Sequence, residues 1–376
     1  MVRFLHTADW QIGMKAAHVG PVGERVRSER LEAARRVVRV AGEEGADFII
    51  VAGDTFEDNG VDRVLVQRVA DILGEFRGSV YLIPGNHDPF VPGSVWHHPA
   101  WSAHANLHVL VKPDPVEAEG VMLFPCPLRE KYARRDPTRW IDATQCGRIA
   151  VGVAHGSIEE IAPDDLDFPI ARNAASRSGL DYLAVGHWHS TAVIRSEDGA
   201  ERLAYSGTHE TTRFGERDSG NVLLVEIAER GAPPKLTRIR TGGLVWNVLQ
   251  PTIRSADELR SLRETIEAMP SPDRTLLKVQ PTGLLVAEAC SELDRIEELV
   301  RARFLYGRVD FSQLLPAPDD DCWVTELPAG VVRRVAERLR QLAGSADAPN
   351  RPEWARPEVA SRALFELYRM RSEGSP

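Results

Sequence analysis

Five polar clusters stand immediately after five short apolar runs, and this repeated juxtaposition constrains the fold more than any other feature. The runs are residues 2–5, 48–51, 80–83, 149–153 and 182–185. Each is short, apolar and closed by a polar or glycine-rich turn, the pattern of a buried strand. Residues 24–44 and 62–76 carry apolar side chains at helical spacing, for example Val64, Val66, Val69, Ile72 and Leu73. Strand, helix, strand in this order predicts a layered α/β domain over residues 1–243, with helices covering sheets. Its later part, residues 191–239, reads as hairpins, with one turn at Glu197-Asp198-Gly199.

A small α/β module is expected over residues 244–315. The pattern there is strand (246–253), helix (255–268), strand (275–279), helix (289–304) and strand (309–311). The helix at 255 opens on Ser255-Ala256-Asp257-Glu258, a capping start. Residues 316–376 read as a linker at 316–321 followed by two amphipathic helices, 329–342 and 358–371. Val331, Val332, Val335, Leu339 and Leu342 share one face of the first, and Ala360, Leu364, Leu367 and Tyr368 one face of the second. Two such short helices cannot bury these stripes against each other alone. They dock either on the chain's own core or on a partner.

The four cysteines, Cys126, Cys146, Cys290 and Cys322, are far apart with no CxxC pair, so neither a zinc site nor a disulfide frame is expected. No run approaches the roughly 20 apolar residues of a membrane helix. The start lacks a signal-peptide layout, which makes the cytoplasm the default location. A formal net charge of -9 argues against a nucleic-acid partner, because phosphate binding draws on basic surface. Two features soften that objection. Acidic metal ligands count as negative although bound cations offset them. Basic charge is also clustered, at Arg129, Lys131, Arg134, Arg135 and Arg139.

The clusters themselves are Asp9-Trp10-Gln11, Gly53-Asp54, Gly85-Asn86-His87-Asp88, His155-Gly156 and Gly186-His187-Trp188-His189. Strand ends of one polarity share an edge in a layered α/β fold, and ligands bind in the crevice there. Carboxylates, imidazoles and amide oxygens are donors that intermediate divalent metals accept. Two ions ~3.5–4 Å apart need about seven or eight ligands with one bridge, and Asp54 is the natural bridge. Such a pair holds the attacking and leaving oxygens of a phosphoryl transfer and lowers the pKa of bound water from ~15.7 to ~7. Taken singly, an Asp or His after a strand is an ordinary turn residue. Five clusters in order, each at a strand end, are not.

This ordered set resembles the calcineurin-like metallophosphoesterases, whose motifs run DxH, GD, GNH[DE], H and GHxH, over residues 1 to about 240. Within that superfamily Phe4-Leu5-His6-Thr7-Ala8-Asp9-Trp10-Gln11-Ile12-Gly13 is similar to the double-strand-break repair nucleases, the nuclease subunit of SbcCD and its MRN-type relatives. So are Phe56, Tyr205-Ser206-Gly207-Thr208-His209-Glu210 and Phe214-Gly215-Glu216. The resemblance implies an αββα sandwich with a small α/β capping domain and C-terminal helices. It implies two divalent ions, Mn2+ first, with Mg2+, Fe2+ or Zn2+ as alternatives. Asp9, Asp54 and His189 would hold one ion, and Asp54, Asn86, His155 and His187 the other. His87 would stabilise the phosphorane or protonate the leaving oxygen, with Asp88 orienting its ring. DNA, an SbcC-type ATPase and a second copy of the chain are the implied partners, the ATPase gripped by the C-terminal helices.

Two departures stand out. Gln11 occupies the position of the family's histidine, so the first ion is expected to bind more weakly or through water. Glu57 stands where some branches have a second histidine. Two other readings stay open: a phosphodiesterase or phosphatase acting on small nucleotides or phosphoproteins, and a low-activity scaffold, for which Gln11 is the support. His97, His98, His104 and His108 match no ligand spacing and are expected to pack or face solvent. Trp10 and Trp188 are expected to pack beneath the site, with stacking on a base as the alternative.

Overall fold

The computed structural model describes residues 1–159, 161, 167–196, 198–285, 290–316, 323–344, 348–352 and 355–373. Glu197 of the expected turn, Cys322 and residues 317–321 of the expected linker lie outside them. The chain divides into two compact units, Met1–Trp246 and Asn247–Pro376.

The first unit is built on twelve strands: β1 (Val2–Thr7), β2 (Phe48–Ala52), β3 (Ser79–Ile83), β4 (Leu107–Val109), β5 (Val116–Ala118), β6 (Val121–Pro125), β7 (Ile149–His155), β8 (Tyr182–Gly186), β9 (Ala192–Ile194), β10 (Leu203–Tyr205), β11 (Asn221–Ile227) and β12 (Lys235–Arg240). They form two six-stranded sheets, ordered β12-β11-β1-β2-β3-β4 and β5-β6-β7-β8-β10-β9. Strands β1 through β4 run parallel, as do β6, β7, β8 and β10, and antiparallel strands close every edge but that at β4. The expected runs are therefore strands, all five of them longer than the apolar pattern alone marks. β7 continues for two residues, so His155 is its last residue and does not follow it.

Side-chain alternation explains the layering. Phe48, Ile50 and Ala52 point between the sheets, where they meet Val151, Val153, Tyr182 and Ala184. Ile49 and Val51 point the other way, onto Leu31, Val37 and Ala41 of helix Gly23–Glu43 and Val69 and Leu73 of helix Arg63–Gly74. With both faces covered, β2 is apolar throughout, as a buried parallel strand is. Asp62 caps the second helix, accepting from Val64 N–H at 2.8 Å. The outer face of the second sheet packs Ala150, Ala154, Leu183 and Val185 against Ile141, Leu180 and the short helix Ala174–Arg177. The architecture is the expected α/β sandwich.

In the second unit, β15 (Thr275–Val279) and β17 (Tyr306–Val309) pair in parallel, next to β13 (Val245–Leu249). A separate sheet joins β14 (Thr252–Ile253), β16 (Thr282–Leu285) and β18 (Leu314–Pro316). The single strand expected at 246–253 is thus two strands, in different sheets, parted at Gln250-Pro251; proline lacks the N–H a ladder uses. Helices Ala256–Glu267 and Cys290–Arg303 cover a core of Leu259, Leu262, Ile266, Leu277, Ile296 and Val300. Ser255 caps the first of them through Glu258 N–H at 3.2 Å. The tail helices, Val331–Gly344 and Pro357–Glu373, fall in this unit and pack on each other. Trp323, Val324 and Leu327 join Ala336 and Leu364 between them. Part of the expected stripe is turned outward: Val331, Val332 and Val335 are exposed. Among the described residues no helix is long and apolar enough to cross a membrane.

Candidate metal centre

The ends of β1, β2, β3, β7 and β8 meet at one edge of the two sheets. The contacts are too close for side chains at two glycines. A Cβ on Gly186 would lie 2.1 Å from the Ala52 carbonyl, and one on Gly85 would lie 2.2 Å from Asp54 Oδ1. Four candidate ligands also hold backbone angles that L-residues seldom adopt: Asp9 (φ 55), Gln11 (φ 41), Asp54 (φ 51) and His187 (φ 111). Such strain persists where the surrounding structure fixes it, and it gathers at functional sites. Here the loops after β1 and β2 run side by side, with Gln11 N–H donating to Asp54 O at 3.0 Å and Ile12 N–H to Thr55 O at 3.0 Å. Beneath them the buried Arg30 donates to the carbonyls of Trp10 at 3.0 Å and Glu210 at 2.8 Å.

The side chains converge. Asp9 accepts from His187 N–H at 2.9 and 3.1 Å. Asn86 Oδ1 lies 2.9 Å from His155 Nε2 and 3.1 Å from His187 Nδ1. Asp54 Oδ2 is 3.4 Å from His155 Nε2, while Oδ1 accepts from His87 N–H at 2.9 Å. The ring of His155 is set by Nδ1, 2.9 Å from the Ala52 carbonyl, which leaves Nε2 to face the cluster. Ligand atoms of Asp9, Asp54 and His155 lie within 4.8 Å of one another, all buried. His189 is anchored by Glu216, with Nδ1 2.7 Å from Oε1.

Electrostatics fits a cation site. Burial pushes the Asp9 carboxyl up and the neighbouring Asp54 charge adds to it, against the pull of His155, His189 and His187. Burial also opposes ionisation of Asp54, but the His155 charge and hydrogen bond outweigh it and hold that carboxyl low. Burial works against a charged His155, yet Asp54 raises the ring to about 9. Likewise Glu216 and Asp9 raise His189 in spite of its burial. Two buried carboxylates with a convergent amide oxygen and imidazoles form a donor set suited to a divalent ion. The residues fit the group.

Two expectations change here. Asp88 does not orient His87: its oxygens accept from Phe56 N–H at 2.9 Å and Gly85 N–H at 2.8 Å, so it pins the loops, and burial pushes its carboxyl up to about 7. The ring of half-buried His87 is held by the Glu57 carbonyl, 2.8 Å from Nδ1, so position 57 acts through its backbone. Trp10 is buried, its ring stacked on His209 at 4.8 Å, but Trp188 is 38% exposed and does not pack beneath the site. Gln11 is 7% exposed. His97, His98, His104 and His108 each stack or bond locally, away from the cluster. Sequence reading missed Arg30, which looks like any helix arginine, and gave Glu216 no role.

The family model of the calcineurin-like phosphoesterases matches residues 2–191, half of the chain and every strand end just described. The chain belongs to that family. This member of the phosphoesterase family carries a candidate metal site at those strand ends. It is 23% identical over 279 residues to the metallophosphoesterase YhaO of Bacillus subtilis, covering 70% of this chain and 66% of YhaO, just under two thirds of that protein's length. It is also 23% identical over 351 residues to the DNA double-strand break repair protein Mre11 of Archaeoglobus fulgidus, covering 84% of this chain and 75% of Mre11. Among solved structures, TT1561 of Thermus thermophilus aligns at 13% identity with a TM-score of 0.43, covering 64% of this chain and 99% of that one.

Proposed function

We propose that this phosphoesterase is a manganese-dependent DNA exonuclease and endonuclease that acts in double-strand-break repair with an SbcC-type ATPase. The observation that carries the reading is the reach of its likeness to Mre11. The family model ends at residue 191, whereas the Mre11 alignment covers 84% of the chain and so extends beyond the first unit's 246 residues. A small-substrate phosphatase has no use for the second unit.

In this reading Asp9, Asp54 and His189, with Gln11 beside them, hold one ion, and Asp54, Asn86, His155 and His187 hold the other. Two bound ions would polarise the attacking and leaving oxygens of the phosphodiester. The protein's own contribution is orientation. His155 is turned by the Ala52 carbonyl and His187 by Asn86, so their ring nitrogens face the cradle. His87 is outside the ligand set, and with Nδ1 on the Glu57 carbonyl its Nε2 is left to give a proton to the leaving oxygen. Phosphate contacts fall to Arg134 and Arg139, which are exposed, since Arg129 is tied to the Val111 carbonyl at 3.0 Å and Arg135 to Glu130 at 2.6 Å. The ATPase would take the outward valines of the tail helices, and a second copy of the chain would complete the assembly.

Purified protein incubated with labelled duplex DNA and with bis-p-nitrophenyl phosphate, in manganese, magnesium or EDTA, tests the proposal. Manganese-dependent cleavage of both substrates supports it. Cleavage of the small diester alone favours a nucleotide or phosphoprotein enzyme, and no cleavage under any condition favours the scaffold that Gln11 suggests.

A further inference from the structure

The histidines at the centre are not oriented alike. His155 rests its Nδ1 on a neutral backbone carbonyl, and His187 faces the Asn86 amide. His189 has a carboxylate at its Nδ1. Glu216 is 5% exposed at its side chain, and its Oε1 lies 2.7 Å from His189 Nδ1. Its Oε2 accepts from Thr212 N–H at 2.8 Å, and the Thr212 hydroxyl donates to Oε1. Arg213, 3.7 Å away, is 73% exposed and a weak counter-charge. The buried Arg30 is committed to carbonyls of the Asp9–Gln11 loop and Glu210. The negative charge of Glu216 is therefore directed mainly at the His189 ring.

We propose that Glu216 is a positioning residue that fixes His189 with Nε2 toward the first ion and adds charge behind it, offsetting the imidazole lost at Gln11. This rests on the two-ion reading, in which His189 and Gln11 serve the same ion. A carboxylate behind an imidazole sets the tautomer and makes the ring a stronger donor, and losing such a partner costs about 10–100-fold in metal affinity. The site with one imidazole fewer is thus the one with the charged partner.

Manganese binding to the full chain, followed by the electron paramagnetic resonance of free Mn2+, tests this without reference to turnover. Glu216→Gln keeps one oxygen as acceptor for His189 Nδ1 and the Thr212 hydroxyl, but removes the charge and the oxygen that accepts from Thr212 N–H; Glu216→Ala removes every acceptor and the charge. Expected are two ions in the wild type, one of which weakens about 10-fold in Glu216→Gln and about 10²-fold in Glu216→Ala, the other holding its affinity. Adding Gln11→His to Glu216→Gln should recover the weakened ion. Two unchanged affinities in Glu216→Gln, or a lowered metal-free melting temperature with no change in binding, would overturn the proposal. If Glu216→Ala does not fold, Glu216→Gln carries the test. A wild type that takes one ion would overturn the two-ion reading instead, and Glu216 then stands or falls on whether that ion weakens in Glu216→Gln.

Discussion

The two units break the usual sorting of side chains in opposite directions. Met1–Trp246 buries charge: Asp9, Asp54, Asp88, Glu29, Arg30 and Glu210 are each at most 3% exposed. Asn247–Pro376 leaves apolar groups in water, with Val331 67%, Val332 54%, Val335 45%, Val359 48% and Met370 61% exposed. Burying an ion costs several kcal/mol unless it is paired, whereas an exposed valine costs little and is common on surfaces. The first departure is expensive: Glu29 and Glu210 are paired with Arg36, while Asp9 and Asp54 lie at the candidate cation site. The second is cheap singly, but the residues lie on two helices that already pack together, which marks a face and not scatter.

The largest expected effect attacks the first unit where its buried charge is shared. Asp54→Asn should abolish phosphodiester hydrolysis and lower bound manganese, because one carboxylate balances two cations in the proposed centre. The second unit should keep its hydrogen-exchange protection. An active Asp54→Asn enzyme would leave the buried charge of the first unit without a cation to explain it.

His87→Ala should cut turnover by about 10²–10⁴-fold, the usual scale for a general acid, with manganese stoichiometry unchanged. Metal lost together with activity would make His87 a ligand. The comparison is sharpened because His87 is only half-buried and touches Asp54 through its backbone.

Much of this was legible in the chain, for a physical reason. Strands buried on both faces are written as unbroken apolar runs, so β2 could be read directly from Phe48-Ile49-Ile50-Val51-Ala52. The candidate ligands sit where those runs stop, so Asp9, Asp54 and Asn86 followed. What could not be read acts through backbone or across long sequence separations. The Glu57 carbonyl that holds His87 has no side-chain signature. Glu216 lies 27 residues from His189 and Arg30 20 from Trp10, with no periodicity linking them. Asp88 misled because adjacency to His87 suggested contact, while a tight turn sends neighbouring side chains apart.

A smaller effect separates the units by pH. All 11 histidines precede residue 210, so the second unit has none. Burial between the sheets lowers His6 to about 3, with Nδ1 2.9 Å from the Tyr182 hydroxyl. Neutral when folded but protonated in the unfolded chain below about 6.5, His6 contributes stability that is full above that pH. It is lost as pH falls toward 3, at about 1.4 kcal/mol per unit. His209, also lowered by burial, acts in the same sense. His6→Leu should flatten the acid limb of metal-free melting by about one proton. An unchanged slope would mean that His6 is not buried neutral.

The smallest expected effect belongs to the second unit, and its smallness is the point. Val331→Glu with Val335→Glu places two charges on the outward face of helix Val331–Gly344. Both valines are already exposed, so stability should move by less than about 0.5 kcal/mol, the usual range for surface substitutions. Ala336 and Leu342 on the same helix are buried and should not sense the change. Hydrolysis of bis-p-nitrophenyl phosphate should stay at the wild-type rate, because the centre draws every candidate ligand from residues before 190. Capture of a co-expressed SbcC-type ATPase is where the proposed role predicts loss: two carboxylates in an apolar contact must be desolvated on binding. A fall in melting temperature would show that these valines are buried in solution against the chain itself. Full capture by the variant would leave the exposed face without the partner proposed for it.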